Sequence, residues 1–442
     1  MDEDLHDKLL NKIPLFDLTG YVKGKDLGSG SFGITFLATK DNHQVVIKQF
    51  FNRPGLNLER EIINLYKCNQ HNLVVPFLGI SFQDFTGWEL DIPLLVLEFE
   101  QSGSLQSFLL NNQVDDIEKQ IIIYGIAKGI QSIHNKGIAH RDLKPDNILL
   151  NDSHYPLICD LGCSKQISQA QILQATPLIG TPLYLSPEML LGTDLTSDAL
   201  FPSDIFSFGL ILYNLITNKF PYLDEIKPLN INSLMNFLKS DERIQLPDSI
   251  PSWFRYLIQL CWKKDPLERP TINDIVALFE AGIALPLVYS SSEDHRYFDY
   301  LNAFLDLNLQ PIGFETLSAW HNELLRCNKT DLALVVELAL ADYFHDPSIQ
   351  TRLGYKYFNG IHVKTDYAKA VAYFKEAADH GNCESQFYLF EIYKYGLNNI
   401  EPNIQLSDHY LELAINGNYQ LAIDQRNQDS AFSSVSKDNI PA

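Results

Sequence analysis

At 442 residues the chain exceeds one ordinary core, so two or three domains are expected. With 45% hydrophobic and 20% charged residues the composition is globular, not disordered or fibrous. The formal net charge of -21 repels nucleic acid and anionic membrane surfaces, and attracts basic segments only weakly at physiological salt.

The first residues, Met1-Asp2-Glu3-Asp4, are acidic and no apolar signal core follows, so residues 1–17 read as an N-terminal extension. From about Tyr21 to Leu97 the pattern is short strands with one helix. Gln44 to Lys48 and Leu94 to Leu97 are strand-like, and Leu58, Ile62 and Leu65 fall at helical spacing between them. Gly28-Ser29-Gly30-Ser31-Phe32-Gly33 sits between two strand-like segments, where glycines let backbone come close to phosphate oxygens. A dinucleotide-binding reading needs a helix next, and Ile34 to Ala38 reads as a strand, so that reading loses. Lys48 closes a strand and Glu61 lies on the next helix, in position to hold it. After Gly103 the character turns helical, with Ile121 to Ile130 and Ile205 to Ile216 reading as long buried helices.

Two further motifs follow in fixed order: His140-Arg141-Asp142-Leu143-Lys144-Pro145-Asp146-Asn147, then Asp160-Leu161-Gly162 after an apolar pair. Together with the glycine loop and Lys48 they make the segment from about Leu18 to Ala284 resemble the eukaryotic protein kinase family. The resemblance implies an α+β, bilobal protein kinase fold over residues 18–284, with an antiparallel-sheet N-lobe and a helical C-lobe, using ATP and Mg2+. It implies that Gly28, Gly30 and Gly33 cover the ATP phosphates, with Leu27 and Ser29 in the same nucleotide-binding segment. Thr35 and Val46 would border the adenine, and Glu98 and Phe99 would begin the hinge after Leu97. Lys48 would contact the α/β-phosphates and pair with Glu61, preferred over Glu59 by its interval to Asn72-Leu73-Val74. Asp142 would take the substrate hydroxyl's proton and Lys144 would neutralise charge on the transferred group. Asn147 and Asp160 would hold magnesium. Glu188, Asp204 and Arg269 are expected to be structural.

The sequence also departs from the family pattern. Leu161 stands where Phe is usual, Ser186 where Ala is, and Val46 where Ala is, which narrows the adenine pocket. Cys159 reads as a small apolar filler facing the nucleotide. Lys144, two residues after Asp142, and Thr181 in Gly180-Thr181-Pro182 imply serine/threonine specificity. Thr176, twelve residues before Glu188, is expected to pair with Arg141 when phosphorylated.

Past about Leu285 the texture changes. Residues 285–325 read as linker and capping helices. In residues 326–425 Gln350, Leu353, Tyr357, Gly360, Glu376, Ala378, Gly381 and Asn382 recur 36 residues on, as Gln386, Leu389, Tyr393, Gly396, Glu412, Ala414, Gly417 and Asn418. Such a period means an all-α helical-repeat solenoid, and the stretch resembles the Sel-one-like repeat, whose concave surface implies a protein partner. Residues 426–442, polar and poor in apolar side chains, read as a disordered tail. Six scattered cysteines without paired short spacings point to free thiols rather than a zinc site. With no uninterrupted apolar run of ~18 residues, no membrane span is expected, and the location is expected to be cytoplasmic or nuclear. The leading reading is an active kinase with protein substrates. The alternative is a pseudokinase scaffold that recruits partners through its repeats; oligomeric state is open.

Overall fold

The computed structural model describes residues 9, 12–29, 33–51, 58–69, 73–161, 181–191, 200–240, 242–281, 296, 300, 313–398 and 400–437. The chain divides into two compact units, Met1–Pro247 with Ile258–Pro311, and Asp248–Leu257 with Ile312–Ala442.

The first unit begins with a five-stranded antiparallel sheet: β1 (Val22–Ser29), β2 (Gly33–Lys40), β3 (His43–Phe50), β4 (Phe77–Gln83) and β5 (Glu89–Glu98). Their spatial order is β1-β2-β3-β5-β4. Alternation selects one face: Phe36 and Ala38 on β2, Val45 and Ile47 on β3, and Leu94 and Val96 on β5 form a buried cluster with Leu18 and Tyr21. Asp41 and Asn42, both with positive φ, make the two-residue turn between β2 and β3 that matches strand twist. Helix α1 (Leu58–Cys68) buries Leu58, Ile62, Leu65 and Cys68, one stripe at helical spacing.

The N-terminal extension is part of this lobe. Phe16 N–H donates to Ile80 O at 2.8 Å and Ile80 N–H donates to Pro14 O at 3.0 Å, alongside a parallel bridge from Leu15 to Ile80. Gly79, at φ +149, permits this approach; a Cβ there would lie 2.6 Å from Pro14 O.

The helical part of the unit carries α2 (Leu105–Asn111), α3 (Asp116–His134), the β6–β7 hairpin (Ile148–Leu150, Pro156–Ile158), α4 (Pro187–Leu191), α5 (Leu200–Thr217), α6 (Ile231–Lys239), the last turn of α7 (Ser252–Cys261), and α8 (Ile272–Glu280). Ser104 and Asp115 cap α2 and α3, and Thr271 with Asp274 forms a capping box on α8. Gly129 lets α3 close onto β7, since a Cβ there would meet the Ile158 side chain at 2.8 Å. Helix α5 is the one described helix long and apolar enough to cross a membrane by composition, and its apolar stretch is mostly buried within the lobe.

The second unit is helical after the start of α7: α9 (Phe314–Arg326), α10 (Thr330–Phe344), α11 (Pro347–Asn359), α12 (Tyr367–Asp379), α13 (Cys383–Tyr395), α14 (Ile404–Asn416) and α15 (Gln420–Lys437). Asp346, Asp366, Asn382 and Asn403 each cap a following helix with a side-chain oxygen, so the period repeats at the level of helix starts. Tyr357, Phe374, Leu389 and Tyr393 belong to the core between the hairpins.

Helix α15 continues to Lys437, past residue 426 where a disordered tail is expected from composition; residues 438–442 lie outside the described residues. Its polar residues satisfy one another along and across helices, through Gln425 to Asp429 at 3.0 Å, Arg426 to Glu412 at 2.5 Å, and Lys394 to Asp429 at 3.5 Å. Composition alone registers none of these pairs.

Candidate active site

Lys48 projects from β3, between Thr35 of β2 and Leu95 of β5 in the sheet register. Its ammonium donates to Glu61 Oε1 at 2.7 Å and to Asp160 Oδ1 at 2.6 Å. Burial alone would depress the lysine's pKa, but Asp160 and Glu61 outweigh it and hold the ammonium charged, above its ordinary value. Glu61 is buried on α1, and it is this residue, not Glu59, that meets Lys48.

A second cluster forms around Asp142. Lys144 Nζ donates to Asp142 Oδ2 at 3.0 Å, while Asn147 Nδ2 donates to Asp142 O at 2.8 Å and Oδ2 at 3.1 Å. The loop is fastened from behind. His140 N–H and Arg141 N–H donate to the two oxygens of Asp204, which also contacts His134 Nε2 at 2.8 Å. Arg141 takes φ 66, a left-handed conformation that costs a non-glycine residue energy unless its surroundings fix it.

The two clusters share one site. Cys159 N–H donates to Asn147 O at 3.0 Å, and the Cys159 carbonyl meets His140 Nε2 at 2.9 Å. Burial and Asp160 push the Cys159 thiol up, and it also feels Lys48, Lys144 and Asp142. The thiol is therefore held neutral, as a filler would be. Asp160, at φ 64, follows directly.

The oxygen donors suit magnesium. Asn147 has its amide nitrogen committed to Asp142, which leaves Oδ1 as its acceptor, and Asp160 supplies a carboxylate. Both are hard ligands of the type Mg2+ takes alongside substrate phosphates.

On the sheet, Val46 pairs with Leu37 and Leu97, and Glu98 pairs with Val45, with its N–H donating to Pro76 O at 3.0 Å. Phe99 follows the end of β5. Leu27, Gly28 and Ser29 lie exposed on β1, Gly33 is buried at the start of β2, and Thr35 opposes Gly28 across the strands. Gly30, Gly162, Thr176, Gly180 and the Thr181 side chain lie outside the described residues. A last support is Arg269, whose guanidinium donates to Glu188 at 2.6 and 2.9 Å, both side chains buried.

Sequence reading missed His134, whose ring packs at 4.7 Å from Phe201 while contacting Asp204. Nothing in its local pattern marks it. It also missed Glu337 in the second unit, although a lone carboxylate inside Leu332-Ala333-Leu334-Val335-Val336-Glu337-Leu338 is a visible signal.

Comparison with known proteins gives two family matches: the protein kinase domain over residues 21–278, more than half the chain, and the Sel1 repeat over 347–382 and 383–419. One Dictyostelium discoideum protein, named a probable serine/threonine-protein kinase, is 34% identical over 279 residues, covering 60% of this chain and 62% of its own length. Another of the same description and organism is 29% identical over 263 residues, 57% of this chain and 27% of its length. A dual specificity protein kinase of that organism is 27% identical over 298 residues, 63% of this chain and 21% of its length. The chain thus spans less than two thirds of the length of each of these relatives.

Proposed function

The chain belongs to the protein kinase family, and we propose that it phosphorylates serine and threonine hydroxyls of proteins, while its repeats bind a protein partner. The observation that carries this reading is the Asp142 carboxylate flanked by Lys144 and Asn147, in the same site as Lys48 held by Glu61.

Asp142 orients the incoming hydroxyl and accepts its proton as the oxygen bonds to the γ-phosphorus of ATP. The bond from that phosphorus to the bridging oxygen breaks, and ADP leaves with the electron pair. Lys144 stabilises charge on the phosphoryl oxygens in flight. Lys48, unable to swing away from Glu61, grips the α- and β-phosphates. Magnesium at Asn147 and Asp160 would supply charge neutralisation between phosphate oxygens. Serine/threonine preference is supported by Lys144 and by the descriptions of the relatives; one dual-specificity relative marks tyrosine as the residue to test against.

The test is phosphate transfer from labelled ATP with magnesium to a generic basic protein and to the chain itself, beside Asp142→Asn, followed by phosphoamino-acid analysis. Transfer to serine and threonine that vanishes in the variant is the expected result. Phosphotyrosine as the main product overturns the specificity. Absence of transfer in the wild-type chain returns the scaffold reading.

A further inference from the structure

Helix α13 carries one line of side chains whose carboxylates are exposed and whose Tyr388 packs against the repeat core. On α13 that line is Glu384, Tyr388, Glu391 and Tyr395, spaced by four, three and four residues and therefore on one face. The neighbouring helices extend it. Tyr355 of α11 lies with its ring 6.1 Å from that of Tyr388, and Tyr419, just before α15, lies 5.5 Å from Phe387. The Tyr388 ring is itself fixed, stacked on Phe374 at 4.7 Å and an interplanar angle of 17°. Tyr355 and Tyr395 remain exposed, at 42% and 68%.

The charges along this face are one-sided. Of the nearby cations, Arg352 is engaged by buried Glu337, and Lys394 reaches Asp429 at 3.5 Å while lying over the Tyr395 ring at 5.5 Å. Glu384 and Glu391 make no ion pair among the described residues. Burial pushes the Glu391 carboxyl up, only partly offset by Lys394. Tyr388 is pushed up to about 12 by burial and by Glu384, with Tyr355, Tyr419 and Glu391 adding to it. The face therefore combines aromatic rings, whose π-faces attract cations, with two carboxylates that make no ion pair among the described residues, Lys394 acting on Glu391 only from a distance.

We propose that this tyrosine–glutamate face of the repeats binds a basic, arginine- or lysine-rich segment of the partner protein. It rests on the reading of the repeats as a partner-binding unit and names the chemistry of the partner. A guanidinium stacked on Tyr388 or Tyr355 would reach Glu391 or Glu384, so each basic side chain meets a ring and a carboxylate together. The occupant is fixed by charge complementarity: an acidic segment meets repulsion here, and a neutral one leaves both glutamates without partners.

The experiment uses the full chain and fluorescence anisotropy with three labelled peptides of equal length, arginine-rich, neutral and acidic, without nucleotide. Each is measured against wild type, against Glu384→Gln/Glu391→Gln, against Tyr388→Leu, and against Glu401→Gln/Asp408→Asn. The last variant removes two exposed charges off this face and keeps the net charge equal to that of the first. Circular dichroism verifies folding of each variant. The expected result is selective binding of the basic peptide, weakened at least about tenfold by the first two variants and unchanged in the last. Equal loss in both charge variants reduces the effect to net charge and overturns the proposal. Equal binding of the neutral or acidic peptide overturns the chemistry while leaving partner binding by the repeats standing. Failure of all three peptides overturns the proposal as well, and phosphate transfer by the same preparations reports separately on the kinase.

Discussion

Asp204 accepts the backbone N–H groups of His140 and Arg141, each at 2.7 Å, and so clamps the loop that carries Asp142 from a helix more than sixty residues away. Its carboxylate is fully buried, and three donors converge on it when His134 is included. Asp204→Ala strands those donors and releases Arg141 from its left-handed conformation. The expected cost is about 3 kcal/mol or more in thermal unfolding, with phosphate transfer falling far more than nucleotide affinity. Affinity and transfer falling in step would show that the clamp acts on the whole lobe rather than on the loop.

Glu188 and Arg269 form a second long-range tie, bidentate and buried. Arg269→Ala removes the buried guanidinium that pairs with Glu188, and a loss of about 3–5 kcal/mol is expected in denaturant unfolding. Arg269→Lys restores the charge without the planar fork, so only partial recovery is expected. Full recovery would mean that charge alone matters at this position.

The extension is expected to depend on Gly79. Gly79→Ala places a Cβ against Pro14 O in a backbone conformation that L residues rarely adopt. Hydrogen exchange of the Phe16 and Ile80 amides should accelerate at least about tenfold, while the amides of the central strand β3, which carries Lys48, keep their protection. Unchanged exchange at both amides would show that the contact tolerates the side chain.

Glu337 makes the second unit sensitive to acid. Burial alone would raise its carboxyl, but His321, Arg352 and Lys356 around it outweigh burial and hold it at about 2, below its ordinary 4.5. A depressed carboxylate pKa gives stability that is complete above pH 4.5 and is lost as the pH falls toward 2. The shift corresponds to about 3 kcal/mol. Amide exchange in α10 and α11 should therefore rise over that window, and Glu337→Gln should flatten the dependence while lowering stability at neutral pH. A variant that kept the wild-type acid profile would remove Glu337 from the explanation.

Much of the candidate site was legible as a cluster because its residues stand at short spacing: Asp142, Lys144 and Asn147 lie within six residues of one another. The pairing of Lys48 with Glu61 was legible through the family resemblance, by the interval from Glu61 to Asn72-Leu73-Val74, and the structure joins the two side chains at 2.7 Å. What escaped were contacts whose partners are remote and whose local pattern is neutral. Pro14, Leu15 and Phe16 show no strand alternation, and only Ile80 gives them a place. The polar residues of α15 look disordered until Glu412 and Lys394 are seen across the groove between helices. The Glu337 cluster had a local signal, but its partners Arg352 and Lys356 become neighbours only once α10 and α11 fold back on each other.

The seating of Pro14 to Phe16 on Ile80 bears on self-association. Strand β4 is the last in the sheet order, and the extension occupies the backbone donor and acceptor that Ile80 would otherwise offer outward. At the opposite margin β1 is exposed along its length but carries Lys23, Lys25 and Asp26, charges that discourage a foreign strand from adding on. A chain shortened to begin at Tyr21 would open the apolar margin of β4 to the same margin of another copy. Such a chain is expected to aggregate edge to edge, with its catalytic residues intact.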